Sequence, residues 1–253
     1  MGGGGEANPT GRRRDFLLID PEKSVILGAF LLPGEIVMPK QRSAEAVTRA
    51  LLCEFLLLFY EKGWVAGTGG GICAGLDSDR FLMAPTGVHK ERVQPADLFI
   101  VDRRSGGIVR SPKNRALRLS ECSTIFCTLI NQRGAGSVMH SHALSSVLAA
   151  DLAGEADRLI FHDLEMLKGL RGGTNADRHA VPVIRNTARE PELLGQIKEM
   201  IEQPAFAPSY CILVRDHGAY IWGEDIWETK RHAEVYHFLF EAMVARAHHA
   251  DGR

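Results

Sequence analysis

The residues best suited to metal chemistry are His140 and His142, one position apart in Gly134-Ala135-Gly136-Ser137-Val138-Met139-His140-Ser141-His142. If Ser137 to His142 is a strand, side chains alternate in direction and both imidazoles leave the same face. They then stand roughly 6.6 Å apart at about 3.3 Å per residue. That lets two ring nitrogens converge on one cation, since Zn–N bonds are about 2.0–2.1 Å. Two half-exposed surface histidines are the bland alternative. A third candidate is His217, which sits beside Gly218 between the apolar runs Tyr210-Cys211-Ile212-Leu213-Val214-Arg215 and Ala219-Tyr220-Ile221-Trp222-Gly223. A histidine at such a strand-to-strand turn is accessible and rigidly held.

Other segments suit an anion. Gly67-Thr68-Gly69-Gly70-Gly71 lies between apolar stretches, and glycines there allow backbone N–H groups to line a concavity. A flexible turn is the competing reading, and no Gly-Lys-Ser/Thr follows to make a P-loop. Pro85-Thr86-Gly87 reads as a turn offering a hydroxyl and an amide. Ser120 is placed to cap a helix from Glu121 to Gln132, with Glu121 as a charge favouring its N-terminus. Cys122 by itself reads as a small buried apolar residue. Lys90 reads as an exposed helix lysine able to add charge, and Glu165 by itself as a solvated helix charge.

These groups need a scaffold, and the chain supplies helices alternating with strands. Ser43 caps a helix to about Lys62, with Val47, Ala50, Leu51, Phe55, Leu58 and Phe59 as its apolar stripe and Gly63 as its stop. Strands are expected over 80–84, 97–102, 137–142, 180–184, 210–215 and 219–223, with a Ser105-Gly106-Gly107 hairpin turn. Helices are expected over 143–151, over 190–202 with Thr187 as a cap, and from Asp225 to about His248. Helices packed on a mixed sheet follow, an α/β fold.

The bulk properties narrow the function. The chain has 253 residues, 45% hydrophobic and 24% charged, as ordinary globular proteins have. With 30 basic and 31 acidic residues there is no global field for nucleic acid, so an anionic ligand needs a local site. The five cysteines are odd in number and lack C-x-x-C spacing, which fits reduced thiols in the cytoplasm better than a disulfide framework. No run reaches the ~18 apolar residues of a membrane span. Residues 1–42 read as an N-terminal extension, disordered at least to about residue 14, and 43–253 as a single domain.

Taken in order, Gly67-Thr68-Gly69-Gly70-Gly71, Ala84-Pro85-Thr86-Gly87-Val88, Ser120-Glu121-Cys122, His140-Ser141-His142 and Arg215-Asp216-His217-Gly218 resemble the class II aldolase/adducin family over roughly residues 43–248. Three stretches, Gly63 to Gly71, Gly87-Val88-His89-Lys90-Glu91-Arg92 with Gln94-Pro95, and Glu165-Met166-Leu167-Lys168-Gly169, are most similar to a branch of dehydratases in methionine salvage; Tyr220-Ile221-Trp222-Gly223 adds a fourth. The resemblance implies a three-layer α/β/α domain with a mostly antiparallel sheet, assembled as a homotetramer with sites near subunit interfaces. It implies one Zn²⁺ per subunit on His140, His142 and His217. It also implies a phosphorylated ketose as substrate, carrying a 5-methylthio group and losing water between C3 and C4. Glu165 would be the acid/base. Cys122 would touch the substrate, and Gly69, Gly70, Thr86, Gly87 and Ser120 would hold its phosphate.

Two features depart from that branch. Glu121 stands where class II sugar-phosphate aldolases carry their catalytic glutamate, making it an alternative acid/base. It keeps open a retro-aldol cleavage of a ketose 1-phosphate to dihydroxyacetone phosphate and an aldehyde. Residues Thr174-Asn175-Ala176-Asp177-Arg178-His179 replace a segment often rich in tyrosine, so the wall meeting the methylthio end differs. A non-enzymatic adducin-like interaction module is the third reading, and retention of all three histidines counts against it.

Overall fold

The computed structural model describes residues 43–250; the extension expected over 1–42 lies outside them. The helices are α1 (Ala44–Glu61), α2 (Ser123–Arg133), α3 (Leu144–Asp151), α4 (Leu194–Glu202) and α5 (Ile226–Ala250). The strands are β1 (Gly71–Gly75), β2 (Arg80–Met83), β3 (Pro85–Thr86), β4 (Phe99–Asp102), β5 (Ile108–Arg110), β6 (Arg118–Leu119), β7 (Ser137–Ser141), β8 (Arg158–Phe161), β9 (His179–Ile184), β10 (Cys211–Val214) and β11 (Gly218–Gly223). Nine of the strands make one sheet in the order β5-β4-β2-β1-β7-β11-β10-β9-β8, and β3 pairs with β6 apart from it. Among the described residues only β9 with β10 is parallel. This is the expected α/β/α architecture with a mixed, mostly antiparallel sheet.

Each face of the sheet carries a core. On one, Leu52, Phe55 and Phe59 of α1, Ala149 of α3 and Tyr236, Leu239 and Phe240 of α5 cover Ile72, Met139, Leu213 and Ile221. On the other, Ile125, Phe126 and Leu129 of α2 and Ile197 of α4 cover Cys73, Val138, Ile212 and Tyr220. A fully buried Leu or Phe contributes about 1.5–3 kcal/mol relative to exposure, so these two sets fix which side of each strand faces which helices. Strand alternation then sends Val138 and His140 to the α2/α4 side and Met139 and Ser141 to the α5 side.

α1 begins as the sequence suggests, with Ser43 Oγ accepting the Ala46 N–H. Its buried stripe is rotated, however: Leu52, Phe55, Leu56 and Phe59 face inward while Val47 is 51% exposed. α2 starts at Ser123 rather than at Glu121, because the Ser123 N–H bonds the Ser120 carbonyl in a tighter turn and the Ser120 hydroxyl accepts from Cys122 N. Thr187 does not cap α4. Its hydroxyl donates to the Arg189 carbonyl, and Glu190–Leu193 forms a 3₁₀ turn ahead of the helix.

Candidate metal centre and active site

His140 lies in the middle of the sheet, where β7 runs between β1 and β11. Its ring stacks on Tyr220 at a centroid distance of 4.1 Å. His142 follows β7 directly, its N–H donating to the Trp64 carbonyl at 2.8 Å. His217 sits in the turn from β10 to β11, made possible by Asp216 at φ 52°. The Nε2 atom of His140 lies 2.9 Å from that of His142 and 3.1 Å from that of His217. Such crowding suits ligands of one cation: nitrogens about 2.0–2.1 Å from a shared metal stand roughly 3 Å apart.

The opposite ring nitrogens fix the tautomers. His140 Nδ1–H donates to the Ala219 carbonyl at 3.1 Å, and His217 Nδ1–H donates to Asn186 Oδ1 at 3.0 Å. In the neutral ring this leaves the lone pair on Nε2. Burial, reinforced by neighbouring imidazoles, pushes His142 down to about 3 and His217 down to about 4. Both are neutral at pH 7, the form that binds metal.

A carboxylate that sequence reasoning did not single out completes the group. Glu190 joins His140, His142 and His217, with ligating atoms all within 4.8 Å of one another. Its Oε1 is 3.5 Å from His140 Nε2 and 3.8 Å from His217 Nε2. Burial alone would raise this carboxyl, but His140 and then Cys122 and His217 outweigh it and hold the group at about 2. The Cys122 thiol, pushed well up by burial and by the Glu190 charge, stays protonated and donates to Glu190 Oε2 at 2.7 Å. The Tyr220 hydroxyl, also influenced by Cys122 and Glu190, is buried without a hydrogen-bond partner among the described residues. The missed signal was Glu190-Pro191, which marks a carboxylate at a helix entrance rather than in a helix.

The glycine loop meets the histidines directly. A Cβ on Gly69 would come 2.4 Å from His142 Nδ1, and one on Gly70, at φ +65°, would come 2.6 Å from the His140 carbonyl. These two glycines are thus required by the close approach of the loop to the ligand rings, whatever their N–H groups bind. Ser120 is buried two residues before Cys122, and Thr86 is half-buried in β3, paired with Arg118, ahead of Gly87 at φ +65°. Lys90 corrects the reading of an exposed helix lysine: it is 1% exposed, its Nζ donating to the Thr68 and Val88 carbonyls at 2.8 and 3.2 Å.

Neither of the two glutamates singled out from the sequence is in the cluster. Glu121 is exposed at the approach to α2. Glu165 has a side chain 72% exposed and pairs with Lys168 at 2.7 Å in the 3₁₀ turn Glu165–Gly169. The segment carrying it leaves β8 at Phe161, opposite His179, while His217 lies at the end marked by Ile184 and Val214. The five steps of β9 between those ends measure roughly 17 Å at about 3.3 Å per residue. The altered segment 174–179 lies at the same far end, where Arg171, Asp177, Arg178 and His179 line a cleft of about 330 Å³.

Residues 50–244 match the model of the class II aldolase and adducin N-terminal domain. The chain belongs to that family. Among curated relatives of this class II aldolase-family chain, the methylthioribulose-1-phosphate dehydratase of Xenopus tropicalis is 39% identical over 81% of this chain and 87% of its own length. The Gallus gallus protein of the same name is 36% identical over 79% and 84%. A probable bifunctional methylthioribulose-1-phosphate dehydratase/enolase-phosphatase E1 of Arabidopsis thaliana is 36% identical over 78% of this chain, which spans only 41% of that protein. The fold matches L-fuculose-1-phosphate aldolase from Thermus thermophilus with a TM-score of 0.57 at 20% identity, covering 80% of this chain and 96% of that one. It matches YgbL from Escherichia coli, described as a putative aldolase/epimerase/decarboxylase, at 0.66 and 18%, covering 79% and 89%.

Proposed function

We propose that this class II aldolase-family chain acts as a zinc-dependent methylthioribulose-1-phosphate dehydratase, a hydro-lyase of methionine salvage. It would convert 5-methylthioribulose 1-phosphate to 5-methylthio-2,3-dioxopentyl phosphate. The observation carrying this reading is the 36–39% identity to vertebrate dehydratases over most of both chains. The convergence of His140, His142 and His217 supports the metal, and three neutral imidazoles are a common zinc donor set that leaves room for substrate. Zinc held there would polarise a carbonyl and acidify the neighbouring C–H.

The remaining work belongs to the protein. Loss of water removes the proton on C3 and protonates the departing C4 hydroxyl, so a group that both accepts and donates a proton is required. Resemblance assigns this to Glu165. Its distance from the imidazoles of its own chain favours action on the site of a neighbouring copy within a homotetramer. Glu190 and Cys122 would contact the substrate from the same chain, and Gly69, Gly70, Thr86, Gly87 and Ser120 would surround the phosphate. A cytoplasmic location is supported by the free state of all five cysteines; among the described residues no helix is long and apolar enough to cross a membrane.

A ketose 1-phosphate aldolase is the second reading, favoured by the fold shared with L-fuculose-1-phosphate aldolase. The identity to the dehydratases over most of both chains weighs against it. Incubation with methylthioribulose 1-phosphate separates the two: the diketone is expected, and dihydroxyacetone phosphate would overturn the dehydratase.

A further inference from the structure

Among the described residues, Lys90 is a buried cation with no carboxylate at ion-pairing distance. The side chain is 1% exposed, and among the described residues no carboxylate lies within 4.0 Å of Nζ. Its two hydrogen bonds go to neutral carbonyls, Thr68 in the glycine loop and Val88 just after the Thr86-Gly87 turn. An ammonium group has three donors, so one remains. Burial lowers its pKa, opposed by Cys122, Glu190 and Glu91; Thr68 adjoins Gly69, which packs against the His142 ring, and this places Nζ beside the candidate site. A desolvated charge without a partner is costly unless a ligand supplies the opposite sign.

We propose that the Lys90 ammonium is a phosphate-binding group, tying the Gly67–Gly71 loop to the Thr86-Gly87 turn and supplying the counter-charge to a phosphate monoester held between them. This deepens the proposed dehydratase reading and rests on it for the identity of the anion. The two loop carbonyls hold Nζ in place before ligand arrives, so little side-chain entropy is lost when the phosphate binds. A monoester carrying about −1.5 to −2 charge then receives a charge-assisted hydrogen bond in a dry setting.

The test uses the zinc-loaded full chain with inorganic phosphate as the probe. Phosphate is expected to raise the melting temperature of the wild type and to leave that of Lys90→Met unmoved, with zinc content equal in both. Because Met removes a buried charge while keeping the stem, the unliganded variant is expected to melt no lower than the wild type. In the substrate assay Lys90→Met is expected to raise KM by roughly 10- to 100-fold, with a much smaller change in kcat. A phosphate-induced rise that persists in Lys90→Met, or a variant destabilised yet still binding phosphate normally, would overturn the proposal and leave Lys90 as a loop tie. Should the variant not fold, a wild-type crystal soaked in phosphate decides: the anion is expected within hydrogen-bond reach of Nζ, and binding elsewhere refutes the assignment. Phosphate held by Lys90 without diketone formation would instead sink the dehydratase reading and leave this one standing.

Discussion

Cys122 donates its thiol proton to the Glu190 carboxylate across 2.7 Å, joining residues 68 positions apart. The bond brings the start of α2 and the turn before α4 together over the three imidazoles. Burial first and then the Glu190 charge keep the thiol protonated, while His140, ahead of Cys122 and His217, holds the carboxylate low.

The first prediction concerns that pair. Glu190→Gln is expected to lower turnover by roughly 10- to 100-fold, the worth of a charged hydrogen-bonding group that would contact the substrate. Zinc should be retained, because three imidazoles remain. Removal of the negative charge should also raise the rate at which iodoacetamide alkylates Cys122 at pH 8, measured by peptide mass spectrometry. Unchanged turnover would remove Glu190 from the chemistry.

Gly69→Ala tests the close approach of the loop to His142. A methyl group 2.4 Å from Nδ1 cannot be accommodated without tilting the ring. Misorienting one ligand is expected to weaken zinc by roughly 10- to 100-fold, as loss of an orienting partner does. Competition with a chromophoric chelator measures it, and wild-type affinity would show that the loop yields instead.

Action of Glu165 on a neighbouring copy has a complementation test. Glu165→Gln and His142→Ala are each expected to be inactive alone, the former with normal zinc content. Coexpressed in mixed oligomers, they should recover activity, because some sites then combine three intact histidines with an intact Glu165. No recovery in verified mixed oligomers would place both groups in one chain's site.

Acid sensitivity follows from two buried histidines away from the cluster. Burial lowers His179 and His237 from 6.5 to about 4 each. The unfolded chain then binds more protons than the folded one between about pH 6.5 and 4, so stability is full above 6.5 and falls as pH drops through that window. The loss is on the order of 3 kcal/mol per histidine by pH 4. Urea unfolding of the wild type and of His237→Asn from pH 7 to 4 should show a shallower slope in the variant, and parallel slopes would contradict the assignment.

Much of the scaffold is legible in the chain. The α1 start at Ser43, the β4–β5 hairpin at Ser105-Gly106-Gly107, the β10–β11 turn at His217 and helices packed on a mixed sheet all follow from capping, glycine placement and apolar periodicity, which act locally; the three-layer arrangement comes from the family resemblance. The three histidines are legible too, because alternation along a strand fixes the direction of His140 and strand-to-strand turns expose His217. Lys90 misleads for a clear reason: Lys-Glu-Arg has the composition of a solvated helix turn, and the Thr68 carbonyl that receives its Nζ is brought in only by folding. Glu190 stays hidden because Glu190-Pro191 marks only a carboxylate at a helix entrance, and no neighbour in sequence aims it at the imidazoles.

The sequence by itself determined the donor types and the strands and turns that present them, since both are set by short-range spacing. The tertiary structure decided which carboxylate faces the imidazoles. Sheet order puts Glu190 beside His140 and carries Glu165 to the far end of β9. That choice rests on contacts between residues tens of positions apart, which packing of α2 and α4 against the sheet creates and local pattern does not encode.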